Sequence, residues 1–271
     1  MEAAFFDLDK TVIARSSGLA FGKNFYREGL ITKRLLARAV VAQFVYLLVG
    51  ADETKMEKMR KKAQSLTIGW DQTRIRQIIE DVMGDVITPI IFKEAADLID
   101  LHRSEGRKVV IVSSSPEEIV APLGKLLGAD EVIASRAEVG PDGRYTGEID
   151  FYSYGPHKAI AIREFAVEKG IDLAASFAYS DSITDLPMLE VVGHPVAVNP
   201  DRALTQTATE RGWEVLRFEN PVTIRKRLAE IAPSGRTVAF SGGGALSLIA
   251  VGLGYVWLRR RSRSTAWGSK F

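Results

Sequence analysis

The first candidate chemistry lies near the start of the chain, where Phe5-Phe6-Asp7-Leu8-Asp9-Lys10-Thr11 carries two carboxylates two residues apart, straight after an apolar run. Two acids in one small site repel, so the pair is costly unless a cation or a shared proton compensates. An Asp-rich surface loop would spell the same letters without any chemistry. A second pair, Asp181 and Asp185, follows another apolar run in Ala178-Tyr179-Ser180-Asp181-Ser182-Ile183-Thr184-Asp185. Four carboxylates at one edge of a sheet fit a hard, oxygen-ligated cation such as Mg²⁺. The chain has no Cys and only three His, His102, His157 and His194. Thiolate zinc sites, Fe–S clusters and a cysteine nucleophile are therefore excluded, and oxygen remains the main metal donor.

Two further segments suit an anion. Val109-Val110-Ile111-Val112-Ser113-Ser114-Ser115-Pro116 ends an apolar run in hydroxyls and opens a helix whose N–H groups can hold a phosphate or can simply be capped by a serine. Lys158, in Gly155-Pro156-His157-Lys158-Ala159, begins another helix. A lysine there opposes the helix dipole, and neutralising a phosphate would give it a reason to be there.

Those residues need a scaffold. Ala3–Leu8, Lys108–Ser113, Glu131–Ala134, Phe177–Ser180 and Pro195–Val198 read as buried strands. Helical patterns over 89–105, 116–127, 157–169, 184–192 and 201–211 lie between them, and Pro141-Asp142-Gly143 marks a turn between two short strands. The alternation predicts an α/β fold with a parallel sheet covered on both faces and a ligand site at the carboxyl ends of its strands. Residues 16–88 read as helices alone, over 18–28, 32–49, 53–66 and 71–86, and form an insertion between the first two strands.

Charge is distributed unevenly behind a net +2. Residues 15–62 carry 11 bases against 4 acids, residues 63–236 carry 19 against 27, and residues 259–271 carry five bases alone. Between the last two blocks, residues 237–258 are 22 uncharged positions, about 33 Å as a helix and enough to cross a hydrocarbon core of ~30 Å. Tyr255, Trp257 and the arginines from Arg259 onward suit a membrane boundary. The alternative is a buried, glycine-rich terminal helix. The first residues have no basic segment followed by a long apolar one, so no signal peptide is expected, and the body is expected in the cytoplasm, tethered by its C-terminus. The apolar stretch Leu35–Gly50 is too short to span; it packs within the insertion or lies against a membrane with Lys33, Arg34 and Arg38 near lipid phosphates. Bases without interleaved stacking aromatics give no support to nucleic-acid binding.

In order and content these motifs resemble the haloacid dehalogenase-like superfamily, and within it the phosphoserine-phosphatase-like subfamily with a helical cap after the first strand. Asp7-Leu8-Asp9-Lys10-Thr11 is similar to the first family motif, Ser113 to the second, Lys158 to the third, and Asp181 with Asp185 to the fourth. The resemblance implies a Rossmann-like core at 1–15 and 89–231 and an all-helical cap at 16–88, followed by a linker at 232–236, the expected span at 237–258 and a tail at 259–271. It implies that Asp7 attacks phosphorus to form an aspartyl-phosphate while Asp9 protonates the leaving alcohol and then activates water. Asp7, the Asp9 carbonyl and Asp181 would bind Mg²⁺, Asp185 would support the metal, and Thr11, Ser113, Ser114 and Lys158 would hold the phosphoryl group.

The departures bear on the substrate. Ion-pumping relatives continue Asp-Lys-Thr with Gly-Thr, whereas Val12 and Ile13 follow here. Serine-phosphate-specific relatives carry a cap acid about nine residues past the nucleophile; Ser16 stands in that place, beside Arg15. Thr184 and Ser180 occupy places where Asn and Gly are common. The basic cap and the expected span together suggest an amphipathic anionic phosphomonoester, such as a lipid-derived phosphate. The rival expectation is a non-catalytic, membrane-anchored module that keeps the fold.

Overall fold

The structure is a computed structural model, and it describes residues 1–32 and 65–219. Most of the helices expected over 32–49 and 53–66, the linker at 232–236, the span expected at 237–258 and the basic tail lie outside the described residues. Among the described residues no helix is long and apolar enough to cross a membrane.

Seven strands form one sheet: β1 (Ala3–Asp7), β2 (Lys108–Pro116), β3 (Glu131–Val139), β4 (Tyr145–Phe151), β5 (Phe177–Ser180), β6 (His194–Val198) and β7 (Glu214–Leu216). Their order is β4-β3-β2-β1-β5-β6-β7, so β1 is central. It pairs in parallel with β2 through Phe5↔Val110 and with β5 through Phe5↔Ala178. Both faces of β1 are covered, which explains why all five of its residues are buried. Ala4 and Phe6 point into one apolar cluster with Val109 and Ile111, while Ala3 and Phe5 point into the other with Val110 and Val112. Each fully buried Phe stabilises the fold by roughly 1.5–3 kcal/mol.

The described helices are α1 (Ser17–Ala20), α2 (Gly22–Arg27), α3 (Gln72–Ile87), α4 (Lys93–Ser104), α5 (Glu117–Leu127), α6 (Pro156–Lys169), α7 (Leu186–Leu189) and α8 (Arg202–Arg211). Helix α3 starts where Asp71 accepts from the Arg74 N–H at 2.9 Å, and Ile75, Ile79 and Met83 recur on its buried side. Helices α5, α6 and α8 all stop at a glycine with positive φ.

The structure departs from the sequence expectation in several places. The sheet is mixed, because β4 runs antiparallel to β3. Strand β7 adds an edge at Glu214–Leu216, a segment with no strand expectation. The helix expected over 89–105 begins only at Lys93, because the chain first turns at Thr88–Ile90 and then runs extended. That stretch must pair with the outgoing chain: Ala14 N–H donates to Ile90 O at 2.7 Å and Phe92 N–H to Val12 O at 2.9 Å. The helix expected over 18–28 is interrupted at Phe21, which divides α1 from α2.

The hairpin of β3 and β4 also reaches the chain that precedes α3. Gly69 N–H donates to Tyr145 O, Tyr145 N–H to Trp70 O, and Gln72 N–H to Gly143 O, at 2.9, 3.0 and 3.1 Å. From α3, Gln72 Nε2 also donates to Glu118 Oε1 on α5 at 2.9 Å.

Candidate active site

Asp7 is the last residue of β1, so the strand delivers its carboxylate to the carboxyl edge of the sheet. The chain then folds tightly: Val12 and Ile13 N–H both donate to Leu8 O, and Lys10 takes a positive φ of 65°. This turn brings Thr11 back beside Asp7, where its Oγ1 donates to Asp7 Oδ2 at 3.2 Å.

Lys158 lies in the first turn of α6, which Pro156 opens. Its Nζ donates to Asp7 Oδ1 at 2.6 Å and to Asp185 Oδ2 at 2.8 Å, with all three residues buried. Ser180, the last residue of β5, donates its hydroxyl to the same Asp185 oxygen at 2.7 Å. Burial opposes the Lys158 charge, yet Asp185 and Asp7 outweigh it and raise its pKa, so the ammonium persists.

The carboxyls are shifted the other way. Burial pushes Asp7 up to about 8, with Asp185 and Asp181 adding to the rise and Lys158 opposing it. Burial pushes Asp181 up to about 7 against the nearby charge of Lys10, whose Nζ is 3.8 Å away. Asp9 is raised by burial and held back by Ser17 and Ser115. Ser17 N–H donates to Asp9 Oδ1 at 2.9 Å, and Ser115 Oγ lies 3.4 Å from Asp9 Oδ2.

Asp7, Asp9, Thr11, Ser113, Lys158, Asp181 and Asp185 thus lie toward one edge of the sheet. Thr11, expected to touch phosphate, turns its hydroxyl to Asp7 because the tight turn aims it inward. Asp185, expected to support a metal or its waters, pairs with Lys158. Ser113 Oγ accepts from the Ser115 N–H at 3.1 Å, and Ser114 is exposed with its carbonyl taken by Ser135 Oγ at 2.8 Å. Three residues with a place in the site carried no individual expectation: Ser17, Ser115 and Ser180. The serine run at 113–115 was the available signal for one of them.

Among the described residues no three acidic or imidazole side chains are grouped as a metal cluster. The donor set nonetheless fits Mg²⁺. Two carboxylates, Asp7 and Asp181, plus the Asp9 carbonyl require no third acid, and Mg²⁺ retains waters in its remaining positions. Burial chiefly, and neighbouring carboxylates second, disfavour charge on Asp7 and Asp181, and a divalent cation would offset both.

Residues 4–190 match the haloacid dehalogenase-like hydrolase family. The inhibition of morphological differentiation protein of Streptomyces azureus is 51% identical, over 97% of this chain and 94% of that protein. A probable phosphatase of Mycobacterium tuberculosis is 50% identical, over 95% and 89%. A phosphoserine phosphatase of the same organism is 32% identical, over 92% and 80%. Among solved structures, a protein of unknown function from Bordetella pertussis superposes with a TM-score of 0.69 at 28% identity, covering 79% of this chain and 97% of that one. With Asp7 ending its central strand beside a buried lysine and paired acids, the chain belongs to the haloacid dehalogenase-like hydrolases and is a phosphatase.

Proposed function

We propose that the protein hydrolyses a phosphomonoester through an aspartyl-phosphate on Asp7. The observation that carries this reading is the buried Lys158 ammonium 2.6 Å from Asp7 Oδ1. A phosphate dianion approaching a carboxylate is repelled, and a fixed cation at the point of attack reduces that repulsion. Thr11 and Lys158 each hold one Asp7 oxygen and so fix the rotation of the carboxylate. Asp7 forms the new bond to phosphorus while the ester P–O bond breaks, and the protonated Asp9 carboxyl gives its proton to the departing alkoxide. The resulting Asp9 carboxylate then takes a proton from the water that attacks phosphorus, which releases inorganic phosphate and regenerates Asp7. Asp7, Asp181 and the Asp9 carbonyl would hold Mg²⁺, which would neutralise phosphoryl charge. Burial raises the Asp9 carboxyl, the direction that favours a proton donor.

The substrate class follows from Ser16 and Arg15. With no carboxylate at 15 or 16, this turn has nothing to grip a substrate ammonium, and the Arg15 guanidinium favours an anionic group. The basic cap sequence and the uncharged 237–258 segment extend the proposal to an amphipathic anionic ester met at a membrane, with the catalytic body in the cytoplasm.

Phosphate release would be measured with and without Mg²⁺ on 4-nitrophenyl phosphate, phosphoserine, sugar phosphates and lysophosphatidic acid. Mg²⁺-dependent release that vanishes in Asp7→Asn is expected, with lysophosphatidic acid preferred. Release that survives in Asp7→Asn overturns the nucleophile, and a preference for small polar esters overturns the lipid-like substrate. Recovery of the full-length protein in the soluble fraction of cells overturns the tether.

A further inference from the structure

Ser17 opens α1, the first helix after the turn that follows Asp7, and is fully buried, yet its N–H and its hydroxyl both turn to the catalytic edge. Its N–H donates to Asp9 Oδ1 at 2.9 Å, and its Oγ lies 2.7 Å from Ser115 Oγ. Ser115 Oγ in turn reaches Asp9 Oδ2 at 3.4 Å. If Ser115 donates to Asp9, its lone pair accepts from the Ser17 hydroxyl, so both serine protons are used and both Asp9 oxygens are engaged. The ring joins three separate pieces of chain: the turn after β1, the first residues of the cap, and the end of β2. A carboxyl group has a broad, two-fold torsion, so its direction must be fixed by partners such as these.

We propose that Ser17 and Ser115 are positioning residues for Asp9, aiming its carboxyl at the leaving oxygen when the first turn of the cap is seated on β2. This inference rests on the phosphatase reading above. Proton delivery from a positioned acid contributes about 10²–10⁴-fold to such reactions, and misdirecting the acid sacrifices part of that.

The leaving group supplies the test. Nitrophenolate departs without a proton, whereas an alkoxide needs one. The value of kcat/KM would therefore be compared for 4-nitrophenyl phosphate and for whichever of phosphoserine, glycerol 3-phosphate and lysophosphatidic acid is hydrolysed fastest. In Ser115→Ala and Ser17→Ala the alkyl-to-aryl ratio is expected to fall about 10-fold, toward the ratio of Asp9→Asn. Ser115→Thr, which keeps the hydroxyl, is expected to restore most of the ratio. An equal fall on both substrates, or an unchanged ratio in both alanine variants, overturns the positioning role while leaving the phosphatase reading intact. Hydrolysis that persists in Asp7→Asn overturns the aspartyl-phosphate reading, and the positioning role falls with it.

Discussion

Lys158 donates to Asp7 at 2.6 Å across 151 positions of chain, and the same ammonium holds Asp185 at 2.8 Å. The contact fastens the start of α6 to the end of β1. It also joins the two acidic segments, since Asp185 follows β5 on the other side of the central strand.

Replacing Lys158 with Met removes, among the described residues, the only positive charge in direct contact with Asp7. Turnover of 4-nitrophenyl phosphate is expected to fall about 10²–10³-fold, the range for loss of one preorganised charge-stabilising group. Asp185→Asn keeps the ammonium but removes one of its anchors, and a smaller loss, about 10-fold, is expected. Steady-state kinetics on the two purified variants check both, and an Asp185→Asn loss as deep as that of Lys158→Met would contradict the anchoring role.

Asp7 and Asp181 hold protons more tightly in the folded chain, at about 8 and about 7, than at their ordinary value of 3.8. Acids shifted upward contribute stability that is complete below the unfolded value and is lost as pH rises through the folded one. Metal-free protein is therefore expected to lose stability between about pH 5 and 8, and Mg²⁺ is expected to raise the melting temperature more at pH 8 than at pH 5. Thermal melts with EDTA or Mg²⁺ at the two values decide it; equal Mg²⁺ shifts would contradict the argument.

His102 titrates in the opposite sense. It is buried on α4 with Nε2 2.7 Å from the Tyr179 hydroxyl, and burial, aided by Arg107, lowers it from 6.5 to about 4. Its contribution is present above the unfolded value and is lost as pH falls through the folded one. The difference corresponds to about 3 kcal/mol. His102→Gln cannot take up that proton, so its stability by urea denaturation should fall less between pH 7 and 4 than that of the unsubstituted protein. Parallel profiles would rule the histidine out as the acid-sensitive element.

Gly193 sits where the chain enters β6, with its N–H donated to Leu173 O at 2.9 Å. A Cβ at this position would stand 1.8 Å from the Ala174 carbonyl oxygen, so backbone must move to admit it. Gly193→Ala is expected to cost about 2 kcal/mol or more in urea denaturation. The site is remote from Asp7, and the variant should retain turnover per folded molecule. Unchanged stability would show that the two loops separate easily.

The central strand and the turn after Asp7 were legible because burial on both faces demands an unbroken apolar run, and Ala3 to Phe6 supplies one directly before Asp7. Lys158 was legible because its charge opposes the helix end on which it sits. Ser17 and Ser180 were not, since spacing along the chain does not say where a hydroxyl near a helix start is directed. Asp185 illustrates the same limit for acids: its position near the catalytic edge could be read, but its choice of Lys158 depends on where α6 begins in space. Strand β7 has only three residues, one of them Glu214, and is recruited by its neighbour β6 rather than by its own pattern. The β3–β4 hairpin was legible from its Pro141-Asp142-Gly143 turn, whereas the antiparallel run of β4 against an otherwise parallel sheet was not.

The hairpin's hold on residues 69–72 is made largely by peptide groups, which every residue except proline supplies in the same form. Apart from Gly69, whose φ of 80° favours glycine, side chains along that stretch can be exchanged without deleting those backbone bonds. The attachment is thus indifferent to the residues it carries, and a lineage could rewrite what the insertion presents to a substrate while its seam with the catalytic body stays stitched.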